Sequence, residues 1–427
     1  MLLSFKMKNV YSFKEESGIV MYAPSNQVKN RYEDNYTSIC GYDILKTAII
    51  VGENAGGKSN FIKGIKYFQS FFEKNQRIRT NLMSIFRVNL LKDVKSLVDA
   101  KGRQQFEILI ASEEKNIVYK YALTLGVNGI EHEELSTQTQ KNKEFKIIFS
   151  VDTVFRAKNV PENDTTPVAE VKVYVPSLEK SNYDRLTESV GANERTGLWV
   201  NTFALLSIPN TADFIDEVKK IYINNNDLDL PLNLYCQVYD EKLVKNNIPI
   251  LKTQEYLEIF RLIDSSICKI MIDEERPLSS TIIVRKYGSE ESNREILLES
   301  SGVKQYFVFA LILYKVIYEN MVTFADEMDS MFNPVLTAKV VNYLHVMGKY
   351  GQLVFTTHNV FNMSFKLFMK EQMYITSKNK KTLESSLYSV SKFKDLRYDS
   401  NEKIYEYYMM GLLGGAGGDN EFLYTEE

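Results

Sequence analysis

The chain has 427 residues, 44% of them hydrophobic, with a formal net charge of −3 and a pI near 5.9. That is enough apolar content for one large domain with a sizeable insertion, or for two domains. The charge balance argues against a generally sticky nucleic-acid binder, although a local basic groove would not show in a sum, so DNA stays open. Cys40, Cys236 and Cys268 stand far apart beside only three histidines, so neither a disulfide framework nor a zinc site is suggested. No apolar run approaches the ~20 residues that cross a bilayer, and the start lacks a signal-peptide pattern, so a soluble protein of the reducing cytoplasm with no membrane partner is expected.

In chain order, residues 1–23 are rich in β-formers (Leu2, Leu3, Phe5; Val10, Tyr11, Phe13; Ile19, Val20, Met21, Tyr22) and predict two or three strands. Residues 24–46, with Pro24, Asn26, Asn30, Asp34 and Asn35, read as a polar, turn-rich loop. A short apolar strand, Ala48-Ile49-Ile50-Val51, then empties into Gly52-Glu53-Asn54-Ala55-Gly56-Gly57-Lys58-Ser59, with Asn60 following. Glycines 52, 56 and 57 allow a tight turn whose N–H groups point inward at phosphate oxygens. Lys58 can reach the β- and γ-phosphates, Ser59 can hold Mg²⁺, and a new helix aims its positive end at the anion. Phe61, Ile62, Ile65, Phe68 and Phe72 recur at helical spacing, so that helix has an apolar face to lay on a sheet. The stretch reads as a nucleotide-binding P-loop, against the blander alternative of a chance glycine match, and the loop at 24–46 is expected to lie over the nucleotide.

Period two follows: Phe106, Ile108 and Ile110, then Val118 to Leu125, the hairpin signal Asn128-Gly129, and runs at Phe145–Phe149 and Val168–Val175. From about Pro176 to Arg276 the spacing is helical (Phe214, Val218, Ile221; then Tyr256, Leu257, Ile259, Phe260, Leu262, Ile263), as in a helical insertion or lid. Asp227-Leu228-Asp229 has the form of a metal-binding acid pair, but it follows three asparagines in a loop and reads better as a solvated turn. Strands return at Thr281–Lys286 and Arg294–Leu298. They lead into Glu299-Ser300-Ser301-Gly302-Val303-Lys304-Gln305 and a strongly apolar helix. Alone, Ser-Ser-Gly before a helix is an N-cap.

A buried run, Met321–Ala325, ends in Asp326-Glu327, where an acid at a strand end can meet Mg²⁺ and the next can polarise water; the alternative is a pair of exposed acids ahead of the helix near Pro334. A second run, Gln352–Thr356, ends in Thr357-His358-Asn359. A histidine there can hydrogen-bond a γ-phosphate or the attacking water, or serve structure alone.

With this order and spacing the chain resembles the ABC-type ATPases of the soluble branch that contains SMC, RecF and OLD-like proteins. Within that branch it is most similar to the ATPase subunits of anti-phage systems of Septu, PARIS and AbiL type. The likeness rests on Lys8-Asn9-Val10-Tyr11-Ser12-Phe13, Gly52-Glu53-Asn54, Asp326-Glu327-Met328-Asp329 with Asn333-Pro334, Thr356-Thr357-His358-Asn359, and Tyr407-Tyr408-Met409-Met410-Gly411 with its glycine cluster.

The resemblance implies an α/β fold: an ABC-type P-loop ATPase head with an antiparallel β subdomain and a helical insertion, split at 1–175, 176–276 and 277–427. It implies ATP and Mg²⁺ as cofactors, Glu327 and His358 as catalytic, and Gly52 to Asn60 on the nucleotide. Ser59 and Asp326 would sit on the metal, with Ser300, Ser301 and Gly302 acting in trans within a homo-oligomer, a dimer or multiple of dimers. The signature departs from Leu-Ser-Gly-Gly-Gln at Glu299, Ser301 and Val303, and only Gln104 and Gln105 are candidates for the nucleotide-sensing glutamine. No zinc hook and no TOPRIM-like acidic domain are evident. The expected function is an ATPase that senses and regulates in anti-phage defence, answering a phage-encoded trigger and controlling a separate effector nuclease or toxin. The alternatives are a RecF- or SMC-like DNA-repair clamp and a non-catalytic, ATP-gated scaffold; a transporter motor fits less well.

Overall fold

The computed structural model describes residues 1–24, 27–73, 102–126, 129–156, 168–178, 197–224, 241–328, 332–394, 396 and 401–414. Its first elements are β1 (Leu2–Lys8), β2 (Ser17–Val20), the hairpin β3 (Tyr36–Ile39) and β4 (Tyr42–Leu45), β5 (Thr47–Gly52) and helix α1 (Lys58–Ser70). Strands β6 (Gln104–Ser112), β7 (Ile117–Gly126), β8 (Gly129–Thr139), β9 (Asn142–Arg156) and β10 (Val168–Tyr174) follow. Next come α2 (Trp199–Leu205), α3 (Thr211–Lys219), β11 (Ile221–Asn224), α4 (Gln254–Phe260), β12 (Ile267–Met271), β13 (Ile282–Tyr287) and β14 (Glu290–Glu295). The last part holds α5 (Ser301–Tyr318), β15 (Val322–Ala325), α6 (Pro334–Met347), β16 (Gln352–Thr357), β17 (Met373–Lys378), β18 (Ser385–Ser389) and α7 (Asn401–Met409).

Two large sheets carry the α/β fold. One is antiparallel, in the order β10-β9-β8-β7-β6-β1-β2, and the other runs β11-β15-β16-β5-β17-β18 with all its pairs parallel except β17 with β18. Strand β5 sits inside the second sheet and is buried along its whole length. Its continuous apolar run is what a strand covered on both faces requires. Ala48 and Ile50 join Phe324 and Val354 in one core, which also holds Phe61, Ile65 and Phe68 of α1 and the inner face of the antiparallel sheet. Ile49 and Val51 turn the other way, with Ala325, Phe355 and Ile375, against Phe307, Leu311 and Val340 of α5 and α6. Burying each such side chain is worth roughly 1.5–3 kcal/mol, so α1 is held by its apolar stripe more than by helix propensity. Phe68 packs on Phe5, Phe106 and Tyr121 at ring separations of 5.6, 5.5 and 6.1 Å, which fixes the P-loop helix to the antiparallel sheet.

Four readings change. The described residues of the 24–46 stretch are not a loop over the nucleotide: residues 27–45 form a 3₁₀ segment and the β3–β4 hairpin, tied to the opposite end of β5. The reason is polar pairing, since Asn35 donates to Gln372 Oε1 at 2.7 Å and Gln372 in turn donates to Thr47. Ile221 does not continue a helix with Phe214 and Val218; it starts β11, which pairs with β15 in parallel, so the mid-chain stretch expected to be helical also supplies an edge of the central sheet. The strand expected at Arg294–Leu298 begins earlier, because Gly288, at φ +65°, makes a tight turn that pairs Tyr287 with Glu290; Ile296–Leu298 is a 3₁₀ turn. Gln104 is fully buried, accepting from Tyr67 and donating to the Asn9 carbonyl, so its amide is committed to the fold, while Gln105 is exposed opposite Lys8. Asn128, the Asp227-Leu228-Asp229 pair, Cys236, Asp329 and most of the terminal glycine cluster lie outside the described residues.

Candidate nucleotide site

The site lies at the carboxyl ends of three adjacent parallel strands, where open α/β sheets place their ligands. The registers Ala325↔Phe355, Phe355↔Ile49 and Thr357↔Val51 set the ends of β15, β16 and β5 side by side. This brings together Asp326 and Glu327, His358 and the P-loop.

Gly52 ends β5 opposite Thr376 of β17, and a side chain at position 52 would run into the Thr376 carbonyl and hydroxyl. After a turn closed by Gly56 N–H to the Glu53 carbonyl, Gly57 caps α1 at φ +114°; a Cβ there would lie 2.7 Å from Ser385 Oγ. Only glycine fits both demands. Lys58 is buried, its ammonium donating to the carbonyls of Gly52 (2.7 Å) and Glu53 (2.9 Å), with His358 Nδ1 at 3.2 Å. Its charge thus sits under the loop that would hold phosphates. Asn54 and Ala55 are exposed at the tip, and Ser59 is half-buried in the first turn of α1. Glu53 and Asn60 brace the loop instead: Glu53 Oε1 accepts from Lys378 N–H at 3.3 Å, and Asn60 donates to Ser12 Oγ at 2.9 Å.

Asp326 is 7% exposed and Glu327 stands in the left-handed region at φ +52°. One hydroxyl organises both. Thr356 Oγ1 donates to Asp326 Oδ1 at 2.6 Å and accepts from Glu327 N–H at 2.7 Å. Sequence reasoning missed the role of Thr356, since the strand ends in two threonines and nothing local tells which of them meets the acids. Glu327 Oε1 and His358 Nε2 are 3.6 Å apart, and both side chains are partly exposed, at 46% and 39%. Beyond them Asn359 caps the turn at Val360–Asn362, accepting from Phe361 N–H at 3.0 Å.

The signature stretch stands on a separate element. Ser300 is the N-cap of α5, its hydroxyl accepting from Val303 N–H at 3.4 Å; Ser300 and Ser301 are exposed and Gly302 is half-buried in the first turn. Glu299, in the place where the family pattern has leucine, is buried and paired with Arg285 at 2.5 Å.

The residues fit Mg²⁺ and a nucleotide triphosphate. Ser59 and Asp326 are hard oxygen donors too few for a full protein cage, which suits an ion that keeps waters and phosphate oxygens. The buried Lys58 and the amino end of the 13-residue helix α1 suit the anion. Among the described residues no helix is long and apolar enough to cross a membrane.

Comparison with known proteins gives one family. None of the curated proteins compared with the chain matches it. Among solved structures, an SmcHead bound to the C-winged helix domain of ScpA aligns with a TM-score of 0.45 and 13% identity, over 92% of this chain and 99% of that one. The SMC head domain from Thermotoga maritima aligns with a TM-score of 0.43 and 15% identity, over 91% and 98%. Likeness this slight carries no argument. A family model matches residues 48–364, from β5 through the P-loop, the acid pair and His358. The chain belongs to the AAA domain family whose description names the AbiEii toxin and the type IV TA system.

Proposed function

We propose that the protein binds Mg-ATP at Gly52–Asn60 and hydrolyses it in a site shared by two copies of the chain, and that this cycle regulates a separate effector in anti-phage defence. The observation that carries the ATPase reading is the alignment of β5, β15 and β16, which puts Lys58, Asp326, Glu327 and His358 at one sheet edge. Bound Mg²⁺ would neutralise charge building on the β- and γ-phosphate oxygens. Lys58 exchanges its loop carbonyls for phosphate oxygens, a charge-assisted bond. Glu327, held by its backbone bond to Thr356, takes the proton of the attacking water, and His358 beside it orients that water or the γ-phosphate. Ser300, Ser301 and Gly302 complete the site from a second copy, which the exposure of the two serines at the start of α5 permits. Exposed Leu297, Leu298, Val335 and Phe361 flank the signature, the acid pair and the histidine, and give such a dimer apolar surface to bury.

The defence role is supported by the family description, which names a toxin–antitoxin system. A γ-phosphate held between two copies favours the closed pair over the open one, and that difference in affinity is what lets nucleotide state control a bound effector. The test is phage challenge of cells carrying the chain alone, the chain with its neighbouring gene, and the same pair with Glu327→Gln. Protection that needs both genes and is lost in the variant is expected. Protection by the chain alone, or indifferent to Glu327, contradicts the regulator reading, and DNA-damage sensitivity without a phage phenotype favours a repair clamp.

A further inference from the structure

The signature serine is held by its own helix through its carbonyl, which accepts from Lys304 N–H at 3.1 Å, but its hydroxyl is weakly fixed. Its capping bond to Val303 N–H is 3.4 Å, the long end of the range, and its side chain is exposed. The residue before it is the opposite case. Glu299 is 5% exposed at the side chain and receives Arg285 Nη1 at 2.5 Å, while Arg285 Nε donates to Asp264 Oδ2 at 2.7 Å. Asp264 is itself anchored, accepting from the amide (3.0 Å) and hydroxyl (2.7 Å) of Ser266 ahead of β12. Burial works against its charge, but hydrogen bonds from Ser266 and Arg285 outweigh that and hold its carboxyl below the ordinary value. Arg285, on the middle strand of β12-β13-β14, thus spans two carboxylates from different segments. Farther along, α5 and α4 are joined by a reciprocal tyrosine pair: Tyr306 donates to the Ile259 carbonyl (2.9 Å) and Tyr256 to that of Phe307 (2.7 Å). The body of α5 is held by these bonds; its amino end is held through Glu299.

We propose that Arg285 is a positioning residue for the shared ATP site: by bridging Asp264 and Glu299 it fixes the backbone at Glu299-Ser300 and so aims Ser300 and Gly302 at the γ-phosphate bound by a second copy. The inference rests on the shared-site reading above. Only a guanidinium has the planar fork for the task, since an ammonium keeps the charge but presents no two fixed donors for two separated carboxylates. The family pattern's leucine at the place of Glu299 needs no such partner, whereas a buried carboxylate does.

The experiment uses the full chain and three readouts: ATP affinity, steady-state turnover, and turnover after mixing with Lys58→Ala. Arg285→Lys is expected to fold with a thermal midpoint near wild type and bind ATP within about twofold of it. It should turn over about tenfold more slowly, since misplacing a reacting group by about 1 Å can cost as much as a hundredfold. Arg285→Gln should lose more. Mixing either with Lys58→Ala should restore part of the turnover, because one site of each mixed dimer then has an intact P-loop and a well-aimed signature from different copies. A general loss of stability would not be rescued this way. Wild-type turnover in both variants, ATP affinity falling in step with turnover, or folded variants that Lys58→Ala does not complement would overturn the role of Arg285. The control pair Ser300→Arg with Lys58→Ala separates the two failures. Rescue there without rescue of Arg285→Lys sinks only this inference, and no rescue in either sinks the shared site as well.

Discussion

The two ends of the central sheet are built from the same strands and solve opposite problems. At the amino ends, Thr47, His345, Gln352 and Gln372 are buried and hydrogen-bonded. Gln352 donates to the carbonyls of Leu2 and Leu45, both at 2.9 Å, and accepts from Leu2 N–H at 2.6 Å. Gln372 accepts from Asn35 and Met369 and donates to the carbonyl and hydroxyl of Thr47. Thr47 meets His345 Nε2 at 2.7 Å, and Lys46 donates to the His345 carbonyl at 2.8 Å. At the carboxyl ends, Glu327 and His358 are partly exposed, and Glu327, Ala55 and Gly57 take left-handed backbone conformations. Strain and exposed charge cost stability, so a fold tolerates them together where a ligand uses them. The polar residues at the amino ends hold the sheet, and those at the carboxyl ends are held ready by it.

The sharpest way to break that contrast is to remove one group from each end. Glu327→Gln should bind ATP like wild type yet lose on the order of a hundredfold or more in turnover, measured as phosphate release, because the proton acceptor is gone while Asp326 stays. Wild-type turnover would make Glu327 a surface acid. Gln352→Ala should do the reverse. It strands three buried backbone groups of Leu2 and Leu45, and a loss of about 2–4 kcal/mol is expected in urea unfolding, with ATP affinity of the folded protein unchanged. An unfolding midpoint equal to wild type would show that these bonds contribute little.

Thr356 lies between the two cases, a buried hydroxyl that serves both the buried Asp326 and the partly exposed Glu327. Thr356→Val should fold and slow turnover about tenfold, as the hydroxyl bond to Asp326 and the hold on Glu327 N–H disappear together. A variant with full turnover would leave Thr356 as strand packing.

How much of this was legible in the residues follows the range of each interaction. The P-loop could be read directly because turn, lysine and helix are contiguous, and the buried strands before Asp326 and His358 could be read from their apolar runs. Register could not be read. That Thr356 faces Asp326, that Gln352 reaches Leu2 across 350 positions, and that β11 completes an edge beside β15 are pairings between distant segments. Ile221 fell at helical spacing with Phe214 and Val218, and only its partner Val322 shows it to be a strand residue. Glu299 departs from the signature pattern, and only the fold shows that Arg285 supplies its counter-charge.

The smallest expected effect sharpens the amino end. Burial, with the charge of Lys46 second, depresses the pKa of His345 to about 3, so the imidazole is neutral and shares a hydrogen bond with the Thr47 hydroxyl. A histidine lowered in the folded state binds fewer protons than in the unfolded chain. Stability is therefore intact above the ordinary value of 6.5 and falls as pH drops from there toward 3, by about 1 kcal/mol at pH 5.5. Urea midpoints at pH 7.5 and 5.5 should differ more for wild type than for His345→Gln. Equal differences would mean that His345 does not carry the dependence.

The contrast between the two ends depends on phosphate being what the carboxyl ends await, and Lys58 tests that most directly. Calorimetric titration of Mg-ATP should show saturable binding to wild type and none to Lys58→Ala, which gives up bonds to the Gly52 and Glu53 carbonyls and the His358 ring but keeps the apolar packing of α1. Equal affinity in the two proteins, or no binding by wild type, would contradict the account.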